Sequence, residues 1–362
     1  MRHRHMRHRP MRHRPMRHVI AAGAIVLSGV AAHAQADPVA EFYKAKNVTI
    51  LVGYGTGGGY DVYARVISRH FGKHLPGNPN MVVQNMPGAG SLRATNHIYV
   101  NAPKDGTMFG TFARNMPLMG VLGGNANVQF DARKFTWLGS PSSTQDDAYM
   151  LFVRHDAKTN TIEQALNKTK DPIILGGTAE GATGNDVALL VRDTLGLNLK
   201  MIAGYPDSGA LFIAIERGEL DGRFVGLSAV SSNKPEWLKP GGPVKVLLQF
   251  ARKTRHPDYP DVPTARELAK EGRAKQLIEL AEIPYMLSRP YAAPPGVPAD
   301  RAEALQNAFN ATARDKELLA EAAKLGLDVS PVGAEEAMEM LDMLAAAPQD
   351  LKDQLRKLQG GG

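Results

Sequence analysis

Three times this chain runs from a short apolar segment into a glycine loop and directly on into a helical pattern, and that repeat restricts the fold more than any other feature. Val48-Thr-Ile-Leu-Val52 leads into Gly53-Tyr-Gly-Thr-Gly-Gly-Gly59, after which Asp61-Val-Tyr-Ala-Arg65 opens a helix. Met81-Val-Val-Gln84 leads into Asn85-Met-Pro-Gly-Ala-Gly-Ser91 and a helix from Leu92 to Val100. Pro172-Ile-Ile-Leu175 leads into Gly176-Gly-Thr-Ala-Glu-Gly-Ala-Thr-Gly184, with a helix beginning at Asn185. A strand that delivers a glycine loop to a helix N-terminus presents free backbone N–H groups and the positive end of a helix dipole at one sheet edge. Two such units side by side make a neutral socket for an anion.

The alternation continues along the chain. Apolar runs predict strands at 48–53, 81–84, 107–113, 148–154, 172–176, 199–203, 221–226 and 244–250, and amphipathic periodicity predicts helices at 61–75, 91–100, 161–168, 184–195, 208–217, 264–281, 299–324 and 334–358. Strand–helix alternation gives an α/β protein with mostly parallel sheets. The length exceeds what one hydrophobic core usually serves, so two domains are expected. The boundaries expected are 37–147 with 251–362 for lobe one and 148–250 for lobe two, with Tyr149–Val153 and Val244–Phe250 as crossing strands that act as hinges. With no cysteine in the chain, disulfides and thiolate metal ligands are excluded.

The excess of 43 Lys and Arg over 36 Asp and Glu would suggest a nucleic-acid or membrane-surface partner. That excess comes entirely from seven arginines in residues 1–36, a segment without Lys, Asp or Glu. The remainder is formally neutral, which removes the argument for nucleic acid. Residues 1–36 themselves read as a secretory signal peptide: a basic start, the apolar run Val19–Ala32, and a small-x-small cleavage motif at Ala32-His-Ala34 or Ala34-Gln-Ala36. That apolar run is shorter than the roughly 20 residues a membrane-spanning helix needs. The five-residue repeat that begins at Met1, Met6, Met11 and Met16 points to a start at Met11 or Met16. The chain is expected to be exported to the periplasm.

Several motifs, taken in order, resemble the periplasmic solute-binding receptors of the tripartite tricarboxylate transporter family, the Bug receptors. The family's Gly-Gly-x-x-Asp-x-x-Ala-Arg stands at Gly57 to Arg65, its Asn-x-Pro-Gly-Ala-Gly at Asn85 to Gly90, and a variant of its Pro-x-Asp-Gly-x-Thr at Pro103 to Met108. Later matches are Phe130-Asp131, Gly218-Glu-Leu-Asp221, Pro260-Asp-Val-Pro-Thr264 and Ala293-Pro-Pro-Gly-Val-Pro298, so the resemblance spans about residues 44 to 345. The chain departs from the family at Gly53-Tyr54-Gly55-Thr56, where an aromatic and a proline are usual, and at Gly90-Ser91, where two glycines are common. Thr56 and Ser91 thereby add hydroxyls at the expected mouth.

The resemblance implies a two-lobed periplasmic-binding-protein fold of the type II, Venus-flytrap kind, with mixed, mostly parallel sheets and a two-strand hinge. It implies a receptor that captures a small organic carboxylate and delivers it to the membrane permease subunits of a tripartite tricarboxylate-type transporter, with no enzymatic activity, cofactor or metal. In such receptors loop backbone groups and ordered waters hold the carboxylate, without a dedicated arginine. The expected ligand-binding residues are Tyr54, Gly55, Thr56, Gly57 and Gly58 from the first loop, and Asn85, Gly88, Ala89, Gly90 and Ser91 from the second. Lobe two is expected to add Thr178, Ala179, Gly181, Ala182, Thr183 and Gly184, then Tyr205 and Ser208, which read equally well as plain loop residues. Asp61 is expected to be a structural N-cap rather than a ligand contact. Arg93 and Arg114 follow loop or strand ends and could meet a second carboxylate, although a solvated face is the simpler reading.

Other functions fit less well. Gly53-x-Gly55-x-x-Gly58 matches a dinucleotide fingerprint, but the next strand ends in Gln84-Asn85 where an acidic residue should take the ribose. No Gly-x-Ser-x-Gly elbow and no phosphate-loop motif occur. His70 and His74 lack the glutamate of a zinc-protease motif and read as solvent-facing, and the acid pair Asp146-Asp147 reads as surface charge. A ligand-sensing protein that feeds a signalling partner is the main alternative to a transport receptor. A monomer is the default.

Overall fold

The computed structural model describes residues 37–144 and 147–359. The expected signal peptide, 1–36, and Asp146 lie outside the described residues. Ten strands follow in order: β1 Asn47–Val52, β2 Asn80–Asn85, β3 Met108–Thr111, β4 Thr136–Gly139, β5 Tyr149–Arg154, β6 Ile173–Gly176, β7 Leu199–Ile202, β8 Gly222–Gly226, β9 Val244–Phe250 and β10 Tyr291–Ala293. They form two five-stranded sheets, ordered β2-β1-β3-β10-β4 and β7-β6-β8-β5-β9. In the first, β1 runs parallel to β2 and β3, while β10 is antiparallel to β3 and β4. In the second, β6 runs parallel to β7 and β8, while β5 is antiparallel to β8 and β9. This is the mixed, two-lobed α/β architecture; the half built on the first sheet is called lobe one below, and the other lobe two.

Side-chain alternation explains why the sheets are covered on both faces. Val48, Ile50 and Val52 of β1 pack with Tyr63 and Phe71 of the Gly59–Phe71 helix, whereas Leu51 points the other way, to Ala94 and Ile98 of the Leu92–Val100 helix. In β5, Met150 and Phe152 face Leu211 and Phe212 of the Ser208–Glu216 helix, and Leu151 and Val153 face the opposite core. Each such buried aliphatic or aromatic side chain contributes about 1.5–3 kcal/mol. That second core is continuous between the lobes. It includes Leu51 and Phe112 of lobe one, Leu175 and Phe224 of lobe two, and Leu341, Leu351 and Leu355 of the C-terminal helices.

The two runs expected to be hinge strands pair with one another, Tyr149 opposite Phe250, so both connections leave lobe two at the same end of adjacent strands. Three expected long helices are each broken in two. Positive φ at Lys270 and Gly272 separates Ala265–Ala269 from Arg273–Glu282. Asp315 caps a new helix, Lys316–Lys324, after Ala299–Thr312. Pro348 stands between Ala334–Ala346 and Gln349–Leu358, where a proline interrupts helical bonding. The histidines expected to face solvent are partly buried against the Lys316–Lys324 helix, with His70 Nε2 at 2.8 Å from Glu321 and His74 Nε2 at 2.6 Å from Asp315. His70, Asp315 and Glu317 come together there, but Lys73 Nζ already pairs with both carboxylates, at 2.8 and 2.6 Å.

Candidate functional site

The first two glycine loops are locked together by a polar brace. Gly58 is the N-cap of the Gly59–Phe71 helix, and Asp61 lies within its first turn, which corrects the expectation that Asp61 is the cap. The Asp61 carboxylate accepts from the Gly57 N–H, from Arg65 Nε and from Asn85 Nδ2, each at 2.9 Å. Burial works against this carboxylate, but the bonds from Arg65, Gly57 and Asn85 outweigh it and hold Asp61 below its usual range. Asn85 also donates to the Tyr54 carbonyl at 2.9 Å. Asn85 therefore ties the end of β2 to the end of β1.

The second loop turns sharply through left-handed backbone at Ala89, Gly90 and Ser91. Ser91 Oγ is buried and accepts from the Ala113 N–H at 3.1 Å, so the hydroxyl expected at the mouth points inward instead. At Gly90 the lobes approach closely: a Cβ there would lie 2.9 Å from the Ala182 backbone of the third loop. Beside it, Asn115 of lobe one donates to Gly181 O at 2.9 Å and to Asp186 Oδ2 at 2.7 Å, and accepts from Thr183 Oγ1 at 3.0 Å. These bonds hold the lobes shut over the space behind them.

That space is a cavity with about 80 Å³ of water-accessible room between the loop ends of the two sheets. Of the residues expected from the sequence it gathers Tyr54, Gly55, Gly58, Thr178, Ala182, Thr183, Gly184 and Ser208. Thr56, Gly57, Asn85, Gly88, Ala89, Gly90, Ser91, Ala179, Gly181 and Tyr205 are outside its lining. The second loop falls outside because it is consumed in the contact with the third, and Ala89 and Gly181 line a separate surface cleft beside Arg356.

Three arginines complete the lining: Arg114, Arg223 and Arg289, respectively 4%, 7% and 1% exposed. Arg114 thus does not sit on a solvated face. Its guanidinium lies 5.1 Å from the Tyr149 ring centre and 5.2 Å from that of Tyr285, and Nη1 is 3.8 Å from Asp147. Arg223, in the middle of β8, makes two long bonds among the described residues, to Ser208 O at 3.4 Å and Ser208 Oγ at 3.3 Å. Arg289 is better held, by Ser142 Oγ at 2.7 Å, Ser228 Oγ at 2.5 Å and Asp147 at 3.3 Å. Asp147, expected at the surface, is buried; its Oδ1 accepts from the Ser228 hydroxyl and from the Ala148 N–H.

Electrostatics follow from this burial. Burial pushes the Arg223 guanidinium down to about 10, opposed by Tyr149, Tyr54 and Asp207. Burial also works against Arg114, but the neighbouring Tyr60 and Asp147 raise it above its ordinary value. The Tyr54 and Tyr149 phenols are pushed up by burial and stay neutral. Asp186, beside the cavity, is pushed up to about 7 by burial, against the bond from Asn115 and with the charge of Glu180. The site can therefore accept an anion through two lobes' worth of donors, with phenol rings as walls.

Sequence reasoning missed Arg223 and Arg289. The available signal was an arginine inside the apolar run Gly222–Gly226, since a strand buried on both faces rarely admits one. Arg289 carries no comparable local mark.

No family model matches the chain, and no curated protein matches it by sequence. Among solved structures, the periplasmic binding protein BugD is similar with a TM-score of 0.68 at 20% identity, over 88% of this chain and 99% of that one. MatC from Rhodopseudomonas palustris with bound malate gives 0.63 at 18% identity, over 87% and 99%. An R. palustris protein with adipate gives 0.66 at 17% identity, over 87% and 97%. At these identities the likeness is one of fold, and it establishes the fold of periplasmic binding proteins for this chain.

Proposed function

We propose that the chain is an extracytoplasmic solute-binding receptor that closes on a small carboxylate-bearing ligand and delivers it to a tripartite tricarboxylate-type permease. The observation that carries this reading is the closed cavity between the two lobes, walled by buried guanidinium groups and helix N-termini. Both supply donors suited to a carboxylate. The ligands named for the R. palustris proteins of the same fold, malate and adipate, support a small carboxylate. In this reading binding proceeds without chemistry: ligand bridges the lobes only when they are shut, so its differential affinity shifts the population toward closure, and the permease reads the closed surface. The lobe boundaries expected above, export by cleavage of residues 1–36, a monomeric state and the absence of catalysis belong to the same reading.

A thermal-shift screen of the purified protein against mono-, di- and tricarboxylates, with neutral amides and sugars as controls, tests it. Ligand at about 100 times its dissociation constant stabilises the native state by about 2.7 kcal/mol, a clear rise in melting temperature. A rise confined to carboxylates is expected. A rise with a sugar or amide alone would sink the reading.

A further inference from the structure

The cavity walls carry three arginines against Asp207 in the lining and Asp147 within reach of two of them, so positive charge is in excess. Arg289 is answered by Asp147 and two serine hydroxyls. Arg114 reaches the same carboxylate only at 3.8 Å. Arg223 has no carboxylate within ion-pair distance among the described residues, and its two bonds to Ser208 are long. The Nε atoms of Arg114, Arg223 and Arg289 all lack a hydrogen-bond partner among the described residues, although all three are enclosed. A buried donor without an acceptor is costly, and a buried charge without a partner more so. Three such groups on one cavity mark an unmet demand for acceptor oxygens, and of the three Arg289 has the nearest carboxylate, Asp147 at 3.3 Å, which leaves Arg114 and Arg223 the less satisfied pair.

The two arginines also come from opposite sides. Arg114 follows β3 of lobe one, and Arg223 lies in β8 of lobe two. Both line the same cavity, with Tyr149. A planar guanidinium matches a carboxylate through paired N–H bonds. A ligand with a carboxylate at each end gives each arginine its own pair of acceptor oxygens. The room available, about 80 Å³, restricts the ligand to a small one.

We propose that Arg114 and Arg223 form an anion clamp, one arginine from each lobe, that selects a short ligand with a carboxylate at each end and draws the lobes together through direct ion pairs. The clamp rests on the receptor reading above and makes it specific. Recognition then depends on the second charge of the ligand, not only on loop backbone and bridging water.

Isothermal titration of the purified protein with malonate, succinate and glutarate, each beside its half-amide, and with butyrate, tests the clamp. At least one dicarboxylate is expected to bind at least about 10-fold tighter than its half-amide, the loss typical of a charge-assisted bond. In Arg223→Gln that preference should collapse to within about 3-fold. Arg114→Gln should behave alike; where it fails to fold, the Arg223→Gln and half-amide comparison decides alone. If half-amides or butyrate bind as tightly as dicarboxylates, or Arg223→Gln keeps the preference, the clamp is wrong while the receptor stands. Silence from every carboxylate removes both.

Discussion

Asn115 of lobe one and Asp186 of lobe two are joined across the cleft by a 2.7 Å hydrogen bond, and the same amide also binds Gly181 O and Thr183 Oγ1. One side chain thus makes three bonds to the opposite lobe at a point where water is excluded. Asp186 Oδ1 has no partner among the described residues, so the closed state keeps one acceptor unsatisfied.

Asn115→Ala should weaken ligand binding by about 10-fold, chiefly through faster dissociation, because three closed-state bonds are lost and Asp186 is left without its donor. The cavity lining itself is untouched. Stopped-flow release of bound ligand checks this, and an unchanged dissociation rate would show that Asn115 does not latch the lobes.

The Asp186 carboxyl, raised to about 7 by burial, gives a signed pH prediction. An acid raised in the folded state holds its proton where the unfolded chain has released it. Its stabilising contribution is full below the ordinary aspartate range near 4 and is lost as pH rises through that range to about 7. Asp186→Asn keeps an acceptor for Asn115 and removes the charge. In urea unfolding the variant should match the wild type near pH 4 and exceed it at pH 8, with a slope difference of at most about 1.4 kcal/mol per pH unit between. Parallel profiles across that range would refute the assignment.

Gly90→Val should block closure, since its Cβ would meet the Ala182 backbone at 2.9 Å and its φ of +59° disfavours a β-branched residue. The obstruction is at the lobe contact rather than in either core. Small-angle scattering should then show a more open particle that ligand no longer compacts, and melting should stay cooperative. A variant that closes normally would mean that the second loop can move away from the third.

Much of the fold was readable because burial on both sheet faces writes itself as short apolar runs between glycine loops. All eight expected strand positions carry strands. β4 and β10 were not readable: Tyr291–Ala293 is three residues long, too short for a period, and its place between β3 and β4 is set by distant partners. Pro348 was a legible helix break that the periodicity of its flanks concealed. The site was less readable than the fold. Glycine loops announced sheet edges, but which loop lines the cavity and which becomes the rim depends on how two lobes meet. Arg114 and Asp147 look like surface charge in sequence, and only burial by remote segments such as Tyr285 and Ser228 gives them their meaning.

Asp147 holds the rear wall of the cavity together. It is the carboxylate within reach of both Arg289 and Arg114, and it also accepts from Ser228. Removing it leaves two buried guanidinium groups without a counter-charge, and breaking a buried pair from one side typically destabilises by about 3–5 kcal/mol. Asp147→Ala should therefore lower stability by that order in urea unfolding. Replacing both members of the closer pair, Asp147→Ala with Arg289→Met, should recover part of the loss, because the charge that lacked a partner is gone and Met fills the guanidinium's place against Tyr63. A double variant no more stable than Asp147→Ala would show that Arg114, not Arg289, is the cation that most needs this carboxylate.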